Sequence, residues 1–364
     1  LQDEWHLPTP DMNRKTSIIL MSENRSEISQ MGEFGLIDHI SEKFNLKNPN
    51  SIKGIGDDAA VISAGDDCLL VSTDMLVEGI HFDLAYTPIQ HLGYKAVAVN
   101  VSDIAAMNGI AEQITVSIAL SNRFSVEAVD ALYEGIRLAC ENYKVDLVGG
   151  DTTSSVSGLI ISVTVVGRVK QENVAYRSGA KVNDIICVTG DLGAAFMGLQ
   201  VLEREKQVYL TNPDMQPNIE KYEYLVARQL RPEARTDIVF DLREAGVKPS
   251  SMIDISDGLA SELFHIAKNS GVGVRIYDDK IPIDNVAFET AVEFNLDPLT
   301  CALNGGEDYE LLFTVNKDDQ EKIKNHPDIH FIGYTHDRKD QNVLVTKEGS
   351  MIPLKAQGWD HFKP

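Results

Sequence analysis

Gly54-Ile55-Gly56-Asp57-Asp58 places two adjacent carboxylates directly after two glycines, and the apolar run Ala59-Ala60-Val61-Ile62 follows at once. Adjacent like charges repel, and burying them is costly unless a cation compensates. No basic residue stands in the run that follows. The spacing also fits G-x-G-x-x-A, but a dinucleotide site needs a strand before the glycines and a helix after them. A β-like run follows here, and aspartates hold the positions that would approach a pyrophosphate. No G-x-x-x-x-G-K-[ST] sequence occurs, which excludes a P-loop.

Four more acid-bearing motifs lie downstream: Ser72-Thr73-Asp74, Asn100-Val101-Ser102-Asp103, Gly149-Gly150-Asp151-Thr152 and Asp254-Ile255-Ser256-Asp257-Gly258. Taken singly, Asp beside Gly reads as a turn. The set resists that reading. Asp58, Asp74 and Asp151 fall at strand edges, and Asp103 falls inside a helix that is apolar nearly all round. Aspartate is a poor helix former and a costly buried charge. One assumption, shared cation binding, accounts for all of them. Oxygen donors without a His or Cys cluster favour Mg2+, and this many aspartates imply several ions around a polyphosphate. That is phosphoryl-transfer chemistry, in which metals neutralise charge and align donor and acceptor. Ca2+ storage is the non-enzymatic alternative, and the lack of a D-x-D-x-D-G loop argues against it.

The length of 364 residues suggests two domains. A net charge of -22 offers no general attraction to nucleic acid or anionic lipid, so neither is an expected partner. Cys68, Cys140, Cys187 and Cys301 are scattered and form no C-x-x-C pair, as expected of free thiols in a reducing cytoplasm. No apolar run reaches membrane length.

Residues 1–30 show no clear period and read as a poorly ordered extension. A helix opens at Gly32-Glu33 and runs to Asn45. Strands follow at 59–63 and 68–72, joined by the turn Ala64-Gly65-Asp66-Asp67, with Thr73-Asp74 where the second strand ends. A long helix, 89–107, starts behind Pro88. A strand at 113–120, a helix at 126–143, a short strand at 145–148 and a long strand at 159–169 complete an N-terminal domain over 31–170. The C-terminal domain, 171–364, carries strands at 185–189, 252–255, 272–277 and 309–315, with helices between them and a surface insertion at 206–218. Helices and hairpins together argue for a mixed α/β (α+β) fold in both halves.

Other residues admit two readings. Ser256 and Asp257 open a helix, where they cap it or help bind phosphate. Arg177 is a phosphate clamp or a solvated loop residue. His81 is a substrate contact, a proton shuttle or neither. Glu307 follows Gly305-Gly306 as a substrate contact or a polar turn. Trp359 covers an aromatic ligand or packs the tail.

The ordered set Gly32-Glu33-Phe34, 54–58, Ser72-Thr73-Asp74, 95–107, 149–153, Arg177-Ser178-Gly179-Ala180, 254–258 and 305–311 resembles the thiamine-monophosphate kinases, from about residue 31 to the C-terminus. The wider superfamily is that of aminoimidazole ribonucleotide synthetase. The resemblance implies a two-domain fold whose N-terminal sheet forms a barrel in a homodimer. It implies transfer of the γ-phosphoryl of ATP to thiamine monophosphate, in line and assisted by several Mg2+ ions. Asp58, Ser72, Thr73, Asp74, Asp103, Asp151, Asp254 and Asp257 match its metal positions, with Asp58, Asp103, Asp151 and Asp254 expected to carry catalysis. Tyr133, Gly150, Arg177 and Ser256 match nucleotide contacts. His81, Glu307 and Trp359 match thiamine-phosphate contacts. A sister ATP-dependent synthetase and a non-catalytic nucleotide- or metal-binding regulator are the alternatives.

Overall fold

The computed structural model describes residues 28–356. The described residues fall into two compact units, one reaching to Lys43 and the other beginning at Phe44. The first contains α1 (Ile28–Ser41), which is interrupted at Gly32, where φ is 67°. The helix therefore begins ahead of the expected Gly32 start and stops short of Asn45. The rest of the expected N-terminal extension lies outside the described residues.

In the second unit, β1 (Ser51–Lys53), β2 (Ala60–Ala64) and β3 (Asp67–Val77) lead to α2 (Ile89–Ala106). Then come β4 (Ile110–Leu120), α3 (Val126–Tyr143), β5 (Asp146–Ser154) and β6 (Leu159–Lys170). These six strands form one sheet in the order β1-β2-β3-β6-β4-β5. All its pairs are antiparallel except β4 with β5. No helix follows the 54–58 glycines, so the dinucleotide pattern is indeed coincidental.

The remaining elements are β7 (Ile185–Thr189), α4 (Ala194–Thr211), α5 (Glu223–Leu230), α6 (Thr236–Glu244), β8 (Ser251–Asp254), α7 (Leu259–Ser270) and β9 (Gly273–Tyr277). They continue with α8 (Asn285–Glu293), α9 (Pro298–Asn304), β10 (Leu311–Val315), α10 (Lys317–Ile323), β11 (Ile329–His336), β12 (Val343–Val345) and β13 (Met351–Pro353). The seven strands form a second sheet, β13-β12-β9-β11-β7-β10-β8, in which only β12 and β9 run parallel. The mixed α/β class is thus observed in both sheets.

Three expectations need correction. β3 continues past Ser72 to Val77, so Thr73 and Asp74 lie within the strand, paired with Thr164 and Val163 of β6. β5 does not end at the glycines; it runs through Gly149 to Ser154, because parallel pairing with β4 overrides a turn-like composition. Most of the expected 206–218 insertion's first half is helix, since α4 extends to Thr211.

α2 positions the site. Every residue from Leu92 to Ala106 is buried except Asp103. The helix lies against β3, β4 and β6 of the first sheet and also touches β8 of the second. Its last turn, Ala105 and Ala106, packs with Cys187, Met252, Leu311 and Phe313. An all-round apolar helix needs such cover on every side. α3 crosses α2 at two glycines. A Cβ on Gly135 would meet the Gln90 carbonyl oxygen at 1.8 Å, and one on Gly93 would meet that of Leu132 at 2.0 Å. Both obstacles are main chain, so neither can swing aside. Gly135→Ala is therefore expected to lower stability by about 2–3 kcal/mol despite alanine's better helix propensity, measured by urea unfolding.

Candidate active site

The Gly54-Ile55-Gly56 turn delivers its two aspartates to different partners. Asp57 accepts the main-chain N–H of Arg177 at 2.7 Å and pairs with Lys53 at 3.2 Å. Asp57 thereby ties the turn to the 177–181 loop. Asp58 receives the Arg177 guanidinium, Nη2 at 2.7 Å and Nε at 3.2 Å, both on Oδ1. Its Oδ2 is buried without a hydrogen-bond partner. Asp57 thus has a local cation in Lys53, whereas that of Asp58 comes from far along the chain.

Three segments converge on this point. Carboxylate oxygens of Asp58, Asp103 and Asp254 lie within 4.8 Å of one another. Asp103 comes from α2 and Asp254 from the end of β8. Hydroxyls from other elements steady them: Ser72 of β3 donates to Asp103 at 2.5 Å, and Ser102 of α2 donates to Asp254 at 2.6 Å. Asn100 accepts the main-chain N–H of Asp74 at 3.0 Å, which locks β3 to α2 at that level.

Burial and crowding raise all these carboxyls. Burial lifts Asp58, and Arg177 only partly offsets it. Asp103 is raised by burial and then by Asp74, Asp254 and Asp58. Burial and Asp58 push Asp74 to about 6 and Asp254 to about 7. An acceptor-only oxygen set, one member with a buried orphan oxygen, fits a hard divalent cation such as Mg2+.

Other expected residues take different positions. By strand alternation, Ser72 and Asp74 share a face, whereas Thr73 is exposed on the opposite one. Its hydroxyl donates to the Val163 carbonyl at 3.0 Å, so its side chain does not join the cluster. Asp151 is exposed on β5 and also stands outside the cluster. It lines a cavity of about 460 Å³ together with Tyr133, Gly150, Val116, Leu147, Gly149 and Thr152. Two expected nucleotide contacts and one expected metal residue thus share a recess. Ser256 and Asp257 occupy the loop between β8 and α7, where the Asp257 N–H donates to Glu262 at 3.0 Å. The His81 Nδ1 accepts the Val77 N–H at 3.0 Å. Trp359 lies outside the described residues.

Glu307 meets Lys95 of α2 at 3.0 Å and the Gln229 side-chain amide of α5 at 2.5 Å. Lys95 is buried, its ammonium also reaching the Gln229 carbonyl at 3.2 Å, while Glu307 keeps 29% of its side chain open. One helix therefore serves both the acidic cluster and this carboxylate.

Sequence reasoning missed Gln229, Glu262 and Asp308. Glu262 is buried, and burial and Asp257 raise its carboxyl well above the usual range. Its signal was an acid at helical spacing from Leu259 and Ile266, on the apolar face of an amphipathic helix. Gln229 carried no signal at all.

Residues 56–169 match the family described as AIR synthase related protein, N-terminal domain. The thiamine-monophosphate kinase of Bacillus subtilis is 38% identical over 341 residues, covering 92% of this chain and 100% of that protein. The Aquifex aeolicus thiamine-monophosphate kinase is 36% identical over 336 residues, covering 92% and 99%. A solved structure of AaThiL complexed with AMPPCP and TMP superposes with a TM-score of 0.78 at 32% identity, covering 93% of this chain and 99% of that one.

The raised carboxyls set a pH dependence. A folded-state pKa above the unfolded value contributes stability that is present at low pH and lost as pH rises through the folded pKa. With Asp74 at about 6 and Asp254 at about 7, the metal-free protein should lose stability between about pH 4 and 7. Thermal melting in chelator is expected to give a higher Tm at pH 5.5 than at pH 8, and Asp254→Asn should flatten the difference. Added Mg2+ should raise Tm more at pH 8.

Proposed function

We propose that this chain, which belongs to the thiamine-monophosphate kinase family, transfers the γ-phosphoryl group of ATP to thiamine monophosphate, giving thiamine diphosphate and ADP. The observation that carries the reading is the convergence of Asp58, Asp103 and Asp254 within 4.8 Å, from three separate segments, in a chain aligned almost end to end with such kinases.

Asp58, Asp103 and Asp254, with Ser72, Asp74 and Asp257, would hold Mg2+, and Asp151, which lies apart in the recess, would serve a further ion; Thr73 would take part only through its main chain. Bound there, Mg2+ supplies charge neutralisation for a polyphosphate and its transition state. The recess beside Tyr133 and Gly150 takes the nucleotide. Arg177 uses Nε and Nη2 on Asp58, which leaves Nη1 to meet a phosphate oxygen. Glu307, with His81 and Trp359, receives thiamine monophosphate.

The chemical step is a direct in-line displacement. An oxygen of the acceptor phosphate bonds to the γ-phosphorus as its bond to the β-phosphate oxygen breaks. The acceptor is largely ionised near neutral pH, so no side chain need remove a proton. Positioning and fixed charge do the work.

We further assign 31–170 to metal and nucleotide binding and dimerisation, and 171–364 to a C-terminal domain. All nine residues of the edge strand β5 are exposed, and Val148 on it is 62% exposed. Leu147 and Val148 are exposed apolar side chains on an open sheet edge, which supports a homodimer through the first sheet. A cytoplasmic location accords with cysteines that are free among the described residues. No helix among those residues is long and apolar enough to cross a membrane.

Incubation with MgATP and thiamine monophosphate should yield thiamine diphosphate; folded protein that makes none rules the reaction out. Asp58→Asn or Asp103→Asn is expected to cut kcat/KM by about 100-fold or more while the protein stays folded. Full turnover in either variant would remove the metal assignment. Sedimentation at micromolar concentration should show a dimer, and monomer alone would refute the dimer.

A further inference from the structure

The segment that carries Glu307 sends successive side chains in opposite directions. Glu307 turns toward Lys95 and Gln229. Asp308 turns away and is buried against the N-terminus of α4, accepting the N–H of Gly193 at 2.8 Å and of Ala195 at 3.3 Å. Glu310 is buried beneath two guanidinium groups, Arg228 at 2.9 Å and Arg235 at 2.8 Å, and accepts the Thr189 hydroxyl at 2.6 Å.

This zigzag requires left-handed backbone. Gly306, Glu307 and Tyr309 have φ of 71°, 58° and 52°. Glutamate and tyrosine reach that region only against steric cost, so it persists where surroundings impose it. Two main-chain bonds pin the segment to the 254–258 loop, Glu307 N–H to the Ser256 carbonyl at 2.7 Å and Tyr309 N–H to the Ile255 carbonyl at 2.9 Å. Any Cβ on Gly306 would lie 2.5 Å from the Ser256 carbonyl oxygen. The Asp308 carbonyl takes a further bond from Arg228 at 3.3 Å.

We propose that Asp308 and Gln229 are positioning residues for the phosphate acceptor. Asp308 tethers the turn to α4 and so forces the backbone of Glu307. Gln229, through its amide, fixes where the Glu307 carboxylate points. Neither touches substrate. The inference rests on the assignment of Glu307 to the acceptor site made above. Both Glu307 oxygens retain lone pairs beyond their bonds to Lys95 and Gln229, so the clamped carboxylate still accepts from a ligand.

Double-mutant cycles decide the matter. Kinetics would be measured on the unmutated protein, Glu307→Gln, Asp308→Asn, Gln229→Ala and the two doubles with Glu307→Gln, each checked by thermal melting. Asp308→Asn puts an amide NH2 against a main-chain N–H and loosens the tether. Each positioning variant should raise KM for thiamine monophosphate about fivefold or more, leave KM for ATP within about twofold, and add less than about twofold in the Glu307→Gln background. The same factor in both backgrounds, or a parallel rise in KM for ATP, overturns the positioning role while Glu307→Gln still reports the acceptor site. An unchanged KM for thiamine monophosphate in Glu307→Gln overturns the acceptor assignment and this inference with it. Should Asp308→Asn not fold, Asp308→Ser, which keeps one acceptor for Gly193, runs the same cycle.

Discussion

Mutual repulsion among buried carboxylates is the constraint on which this structure turns. Each ionised pair at the separations of Asp58, Asp103 and Asp254 opposes folding by roughly 3–4 kcal/mol at an effective dielectric near 20. One guanidinium, that of Arg177, stands among them. The fold meets the remaining cost with hydroxyl donors from Ser72 and Ser102 and by keeping the cluster on rigid elements. Burial first, and the repulsion left unrelieved second, hold the carboxyls high. A bound divalent cation would offset what the protein's own donors leave uncompensated.

Much of this was readable in the chain. An aspartate in an apolar helix is hard to explain without a partner, and Asp103 is the one residue from Leu92 to Ala106 that is not buried. The separation of Asp57 from Asp58 was also legible, since only Asp58 adjoins the strand. The mixed class followed from alternating helices and hairpins. What escaped was set by partners distant in sequence. Nothing near Gly149-Gly150 announces a parallel neighbour, so a strand was read as a turn. Nothing in Tyr309 announces left-handed backbone, so β10 was expected two residues early. α9 was overlooked although Asp297-Pro298 carries a cap signal, with Asp297 accepting the Thr300 N–H at 3.0 Å.

Residues near one another in sequence also part company in space. Ser72 and Thr73 adjoin, yet one steadies Asp103 and the other bonds to β6 on the far face. Asp308 lies beside Glu307, yet it belongs to the N-terminus of α4. Strand alternation makes the first split, and the left-handed backbone at Glu307 and Tyr309 makes the second. A motif read as one functional block is therefore two sets of residues with different duties.

The burial of α2 bears on synthesis as well as on the finished molecule. Its last turn, at Ala105 and Ala106, is covered by Met252, Leu311 and Phe313. Ribosomes add roughly 5–20 residues each second, so the helix leaves the tunnel some 10–40 s before its last cover is made. During that interval a sheet with an open edge and an uncovered apolar helix end are presented to the cell.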